Sequence, residues 1–330
     1  MSKKFIFNAL RLVIAAALIC WLMSRVNWVK LRQLDTASIL TALGIAALLM
    51  CMQVSSGAWR WKLLLEAQGV IMPLHRAVLL SFQGMAFSLF MPGGALGGDV
   101  IKAALVAAET RSGKRVEGVT TVALDRLIGM SALFIIVLVI ALYGMGRILL
   151  LPLSIRAAIF ALLGFCAVGI LFVGALFFQD LLFRFGWFKT MTDKLDRLCH
   201  GKLLRVMEAV ALYRSRKGIL LKAFLISLFM VHPFLLSAMF VLLWGIEGAM
   251  PDFLGSYLAI SLGNSAAVIP ITPGGLGARD KIAQMVLLSF GFSDQSAALA
   301  PLGFSAVIIF VSFLGLISFA VDTFLTRLKN

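Results

Sequence analysis

Two stretches of this 330-residue chain each read Pro-Gly-Gly, then Leu-Gly, then an Asp. The first runs Pro92-Gly93-Gly94-Ala95-Leu96-Gly97-Gly98-Asp99. The second runs Pro273-Gly274-Gly275-Leu276-Gly277-Ala278-Arg279-Asp280. Proline and clustered glycines break a helix. The helix that restarts after a break presents unpartnered N–H groups and the positive end of its dipole, and so attracts an anion. Without side chains, glycines let that anion approach the backbone. The chemistry expected of Gly93, Gly94, Gly97, Gly98, Gly274, Gly275 and Gly277 is therefore binding of an anionic group, a phosphate being the obvious one beside a bilayer. The competing reading of any one of these glycines is close packing of helices.

Asp99 and Asp280 are expected in the first turns of the restarted helices. One reading makes them helix caps. The other makes them ion-coupled or gating carboxylates, because an acid inside a membrane is costly and usually has a function. An ionised Asp there repels an anionic ligand, so a proton or a nearby base must offset it. The candidate bases are Lys102, Arg126, Arg279 and Lys281. Asp125 and Arg126 are adjacent, hence about 100° apart on a helix, and do not pair simply with each other. Arg126 reads either as a phosphate-binding guanidinium or as a side chain snorkelling to the interface. Asn264, Ser265 and Thr272 offer polar contacts near the second break, with interhelical hydrogen bonding as the equal alternative.

The elements that must position these residues are membrane helices. The chain is 61% hydrophobic and 14% charged, with recurring apolar runs of about 20 residues. A soluble domain is nearer a quarter charged. The expected fold is an all-α polytopic membrane protein, with spans at about 5–23, 37–58, 118–143, 154–178, 218–246 and 294–325. The arms 74–91 and 95–108 flank the first break, and 253–272 and 276–291 the second. Basic residues outside the first pair and their scarcity outside the second predict two re-entrant hairpins entering from opposite sides. Span, span, hairpin, span then occurs twice, as two inverted repeats at about 5–143 and 154–325 of a single membrane domain, 1–330. Trp59 and Trp61 are expected at a membrane interface, with Arg60 and Lys62 marking the cytoplasmic side.

The net charge of +15 does not require nucleic acid, because Lys and Arg cluster between spans, as the positive-inside rule and anionic headgroups explain. Both termini are expected in the cytoplasm. The basic segment within 179–217 joins the repeats. In it Leu195, Leu198, Leu203, Val206, Val210 and Tyr213 recur at helical spacing among Lys194, Arg197, Lys202 and Arg205. That stretch reads as an amphipathic helix on the inner leaflet, or equally as a cap packed on the bundle. Cys20, Cys51, Cys166 and Cys199 form no ligand pair. His75, His200 and His232 lack metal-ligand spacing and read as structural or surface residues. No metal or cofactor is expected, and neither a Walker lysine nor a nucleophile elbow follows the glycines.

Three segments resemble the lysylphosphatidylglycerol synthase transmembrane-region family: 88–99 (SLFMPGGALGGD), 124–129 (LDRLIG) and 272–280 (TPGGLGARD). The likeness covers nearly the whole chain. It implies lipid translocation in the bacterial inner membrane, as in the flippase half of the aminoacyl-phosphatidylglycerol synthases. Those synthases also carry a soluble aminoacyl-transfer domain. This chain ends at Asn330, just after the last span, so lysyl transfer is not expected, and the lipid moved need not be a lysyl lipid. The expected function is a lipid flippase for an anionic headgroup, acting without a catalytic site. The alternatives are a membrane-embedded lipid-modifying enzyme, or a non-transporting partner of one.

Overall fold

The computed structural model describes residues 24, 35–91, 95–110, 112–198, 202–211, 213, 216–269, 272 and 275–329. Among them are fourteen α-helices and no strands. The first expected span, with Gly93, Gly94 and Gly274, lies outside the described residues.

Five described stretches are long and apolar enough to cross a bilayer. They are α1 (Thr36–Ala67), α4 (Arg115–Tyr143), α6 (Leu153–Phe177), the pair α10 (Lys217–Ile226) and α11 (His232–Glu247), and α14 (Asp294–Lys329) up to Phe324. They match the last five expected spans, and the chain is an all-α polytopic membrane protein. Asp35 starts α1 by accepting hydrogen bonds from the N–H groups of Ala37 and Ser38, which meets two of the donors a helix start leaves over.

The arms of the two breaks are shorter helices. The first pair is α2 (Leu74–Phe90), 17 residues, and α3 (Ala95–Glu109), 15 residues. Short helices α5 (Met145–Leu149), α7 (Gln179–Leu182), α8 (Gly186–Leu198) and α9 (Lys202–Ala211) link the spans between the two pairs. The second pair is α12 (Phe253–Ala266), 14 residues, and α13 (Ala278–Ser289), 12 residues. At 1.5 Å per residue none of the four arms reaches the roughly 30 Å of a hydrocarbon core. α2 and α3 pack on each other closely at Gly98: a Cβ there would lie 2.3 Å from the Gly84 carbonyl oxygen. In α12 the buried residues fall on every face, because it packs against α4, α6, α11 and α13.

An arginine clasps the open end of each pair. Arg76, near the start of α2, donates to Glu109 at the end of α3 (Nε to Oε2, 2.9 Å) and to Asp322 of α14 (2.6 Å). Arg147 of α5 donates to Asp252 (2.7 Å), the N-cap of α12, and lies 4.7 Å from the ring centroid of Phe290, just past α13.

Two expectations are corrected. The stretch 195–213 is not one amphipathic helix, since α8 (to Leu198) and α9 (from Lys202) pack on each other and the Leu204 N–H reaches Asp196 Oδ1 at 3.0 Å, which eight residues of continuous helix would place about 12 Å apart. Met207, Val210 and Tyr213 are buried against Leu64, Leu124 and Leu176, and the Tyr213 hydroxyl donates to the Leu64 carbonyl at 3.0 Å. This part therefore caps the bundle. Trp61 does not face an interface either. It is fully buried, and its indole N–H donates to the Thr121 hydroxyl at 2.9 Å. Trp59, two residues earlier, is 42% exposed.

Candidate binding cavity

The two short-helix pairs, together with α1, α4, α11 and α14, line an open cavity of about 350 Å³. This falls in the range of small-ligand sites. Its polar wall comes mainly from α1, α3, α4 and α11. Arg60 lies seven residues before the end of α1, on its buried face. Its Nε donates to Asp125 Oδ1 at 2.7 Å, and its Nη1 donates to the Ser227 hydroxyl at 2.7 Å. Lys102 of α3 approaches the other oxygen of Asp125 at 3.7 Å and lies 3.8 Å from the centre of a Trp61 ring. One carboxylate thus neutralises parts of two buried cations, an arrangement that costs desolvation but fixes both side chains.

Arg126 and Asp99 form a looser pair. Arg126 Nε lies 3.6 Å from Asp99 Oδ2, and neither of these buried atoms has a hydrogen-bond partner. Both side chains are 31% exposed, and both residues line the cavity. Arg126 is the twelfth residue of α4, about 17 Å along the helix from its start. It meets Asp99 at the cavity wall. Asp99 is the fifth residue of α3, and the first turn of that helix holds no acid. The expected first-turn position is thereby corrected. One turn in, its side chain is past the unpartnered N–H groups that a cap would serve.

Asp280 does stand in the first turn of α13. Its Oδ2 accepts from the Gly277 N–H at 3.0 Å and from the Ser305 hydroxyl at 2.5 Å, while Oδ1 accepts from Arg279 Nε and Nη2 at 2.9 and 2.8 Å. Asp280 is fully buried and Arg279 is 2% exposed. The helix start that sequence reasoning offered to an anion is already filled by this side chain. Gly275 and Gly277 hold φ values of +74° and +77°. A Cβ on Gly275 would meet that of Ala267 at 2.6 Å, so that glycine serves the turn and its packing.

Of the described candidates, Asp99, Arg126 and Arg279 line the cavity. Gly97, Gly98, Gly275, Gly277 and Asp280 do not. The added polar groups divide in the same way. Ser265 donates to the carbonyl of Ser261 in its own helix, Asn264 to that of Ile260, and only Asn264 reaches the cavity. Thr272 is buried, with no hydrogen-bond partner for its hydroxyl.

Sequence reasoning missed two ionisable wall residues, Arg60 and His232. Arg60 was read as a cytoplasmic marker, because its partner lies 65 positions away. His232 was read as structural or surface, yet it lines the cavity at 7% exposure. The signal for it was the His232-Pro233 step inside an apolar run. A second signal had no evident meaning in sequence: Gly129, four residues after Asp125. A side chain there would meet the Arg60 guanidinium at 3.1 Å, and the Gly129 carbonyl lies 2.9 Å from His232 Nε2.

Among the described lining residues the cations are Arg60, Lys102, Arg126 and Arg279, and the carboxylates are Asp99 and Asp125. Asp280 neutralises Arg279 from behind the wall. Counted as ionised, these groups leave one positive charge over.

A family profile described as lysylphosphatidylglycerol synthase TM region matches residues 8–315. A curated relative, the UPF0104 membrane protein PH1989 of Pyrococcus horikoshii, is 23% identical over 264 residues, covering 77% of this chain and 78% of the relative.

Proposed function

Since the chain belongs to the lysylphosphatidylglycerol synthase transmembrane-region family, we propose that it is a lipid flippase whose cavity receives an anionic headgroup while the acyl tails stay in the bilayer. The observation that carries this reading is the loose Arg126–Asp99 pair, whose facing atoms lack hydrogen bonds. A phosphodiester oxygen can accept from the partly exposed Arg126 guanidinium by displacing Asp99, and the surplus positive charge of the wall favours its entry. Asp99 competes with the headgroup for that guanidinium, which keeps binding weak enough for release.

In this reading α2–α3 and α12–α13 are re-entrant hairpins, whose arms are too short to cross, entering from opposite faces of inverted repeats. The cavity where they meet then lies near the bilayer midplane, as in transporters built from broken helices. The clasps at Arg76 and Arg147 close opposite ends. The basic α7–α9 region, with Arg184, Lys189, Lys194 and Arg197, faces the cytoplasm of a bacterial inner membrane, as do both termini. The role is transport without catalysis, and a lipid-modifying enzyme is the natural partner if the lipid is made at the same membrane.

The experiment is headgroup translocation by the purified chain in liposomes. An anionic phospholipid with a labelled headgroup should become accessible from the far leaflet faster than in protein-free vesicles, and Arg126→Gln should remove most of the gain. Equal rates with and without protein would overturn the proposal.

A further inference from the structure

His232 stands at a defect in its span. Pro233 has no N–H to give to Phe229, four residues back. The helix passes this point as a π turn, Ser227–Val231, in which the His232 N–H bonds the Ser227 carbonyl. Such bulges redirect side chains and are frequent at functional sites. Here the bulge delivers Ser227 to Arg60 and His232 to the cavity.

The chemistry of the ring follows from its one hydrogen bond. Nε2 lies 2.9 Å from the Gly129 carbonyl. A carbonyl only accepts, so Nε2 carries the hydrogen, and Nδ1 of the neutral ring is an acceptor. Nδ1 is buried and has no partner. Asp99 Oδ2 is a second buried acceptor in the same wall without a hydrogen bond. Phosphate oxygens cannot satisfy either atom. A ligand that leaves buried acceptors unpaired is penalised against one that brings hydrogens to them.

We propose that His232 is a specificity-determining residue. The cavity selects phosphodiester headgroups that carry a hydrogen-bond donor, a hydroxyl or an amine, beside the phosphate, and His232 Nδ1 accepts from it. The inference rests on the flippase reading and adds to it a rule for which headgroups fit. Arg126 takes the phosphate, and His232 separates headgroups by whether they carry a donor.

The test uses the purified full chain in nanodiscs of phosphatidylcholine doped with phosphatidylmethanol, phosphatidylglycerol or phosphatidylethanolamine, with binding read by native mass spectrometry. The first two lipids carry the same charge, and the second adds two carbons bearing two free hydroxyls. The wild-type chain should bind at least one donor-bearing lipid about tenfold more tightly than phosphatidylmethanol. His232→Gln keeps an N–H for the Gly129 carbonyl but loses the acceptor at Nδ1. It should cut the preference to about twofold or less by weakening only the donor-bearing lipid. His232→Asn places a carbonyl oxygen near the position of Nδ1 and should keep most of the preference, so the rule stays testable if one variant folds poorly. Preference for the glycerol lipid alone identifies a hydroxyl, for the ethanolamine lipid alone an amine, and for both, either group. Equal binding of all three lipids by the wild type, or an undiminished preference in His232→Gln, overturns the inference and leaves the flippase reading standing. Binding of none of the three overturns both.

Discussion

In the second hairpin the aspartate of the repeated motif is enclosed. Asp280 accepts from Arg279, Ser305 and the Gly277 N–H and is fully buried. In the first hairpin the matching Asp99 has no hydrogen-bond partner for Oδ2, faces a cavity, and meets its cation, Arg126, at 3.6 Å from another helix. The difference begins in one position. The residue before Asp280 is Arg279, and the residue before Asp99 is Gly98. An adjacent arginine folds back to give a pair complete in itself. A glycine supplies no charge, but lets α2 approach so closely that Gly84 and Gly98 touch, and the counter-charge must then come from another helix, as Arg126 of α4. Two nearly identical breaks thus yield one closed, hydrogen-bonded ion pair that holds structure and one looser ion pair, without a hydrogen bond between its facing atoms, at the wall of a cavity.

The sharpest way to break this contrast is to remove each carboxylate in turn. Asp280→Ala leaves a buried guanidinium uncompensated and should cost about 3–5 kcal/mol, read as a large drop in the melting temperature of the detergent-solubilised protein. Asp99→Ala removes a partner that makes no hydrogen bond at Oδ2 and should cost no more than about 1 kcal/mol. Equal destabilisation by the two would dissolve the distinction.

A smaller effect is expected at the glycines. Gly98→Ala forces a Cβ against the Gly84 carbonyl oxygen and should cost about 1–3 kcal/mol, as overpacking does. Gly275→Ala should cost a similar amount, from its positive φ and the contact with Ala267. Melting curves of the two variants would show the contribution of each glycine to packing. If Gly98→Ala melts like the wild type, the close contact of α2 and α3 is not needed.

The smallest effect is expected at the clasps. Arg76 and Arg147 each tie a hairpin's open end through partly exposed ion pairs. Arg76→Gln and Arg147→Gln should each change stability by about 1 kcal/mol or less. Hydrogen exchange should nonetheless quicken locally, around 74–78 and 105–109 for the first and around 252–256 and 286–290 for the second. Faster exchange at both hairpins in either variant would show that the clasps do not act separately.

Much of the architecture was legible in the sequence because membrane helices are written in run length. The expected span 118–143 became Arg115–Tyr143, and the arm 95–108 became Ala95–Glu109. The cavity was legible only in part. Asp99 and Arg126 stood out as charges inside apolar runs. The Arg60–Asp125 pair did not, because two residues 65 apart share no local pattern, and the tryptophans beside Arg60 suggested an interface that a buried Trp61 contradicts. The filling of the α13 start by Asp280 was half legible: the capping alternative was visible, but Ser305 could be placed beside it only by the fold.

In the proposed reading a phosphate takes the Arg126 guanidinium in place of Asp99. This claim is tested most directly by measuring the affinity of an anionic phospholipid for Arg126→Gln and Asp99→Asn in nanodiscs, side by side with the wild type. Arg126→Gln should weaken binding about tenfold or more, because a charge-assisted donor is lost. Asp99→Asn should bind as tightly as the wild type or several-fold more tightly, since a competing negative charge is gone. Arg126→Gln with unchanged affinity, or Asp99→Asn weakened as much as Arg126→Gln, would contradict the account.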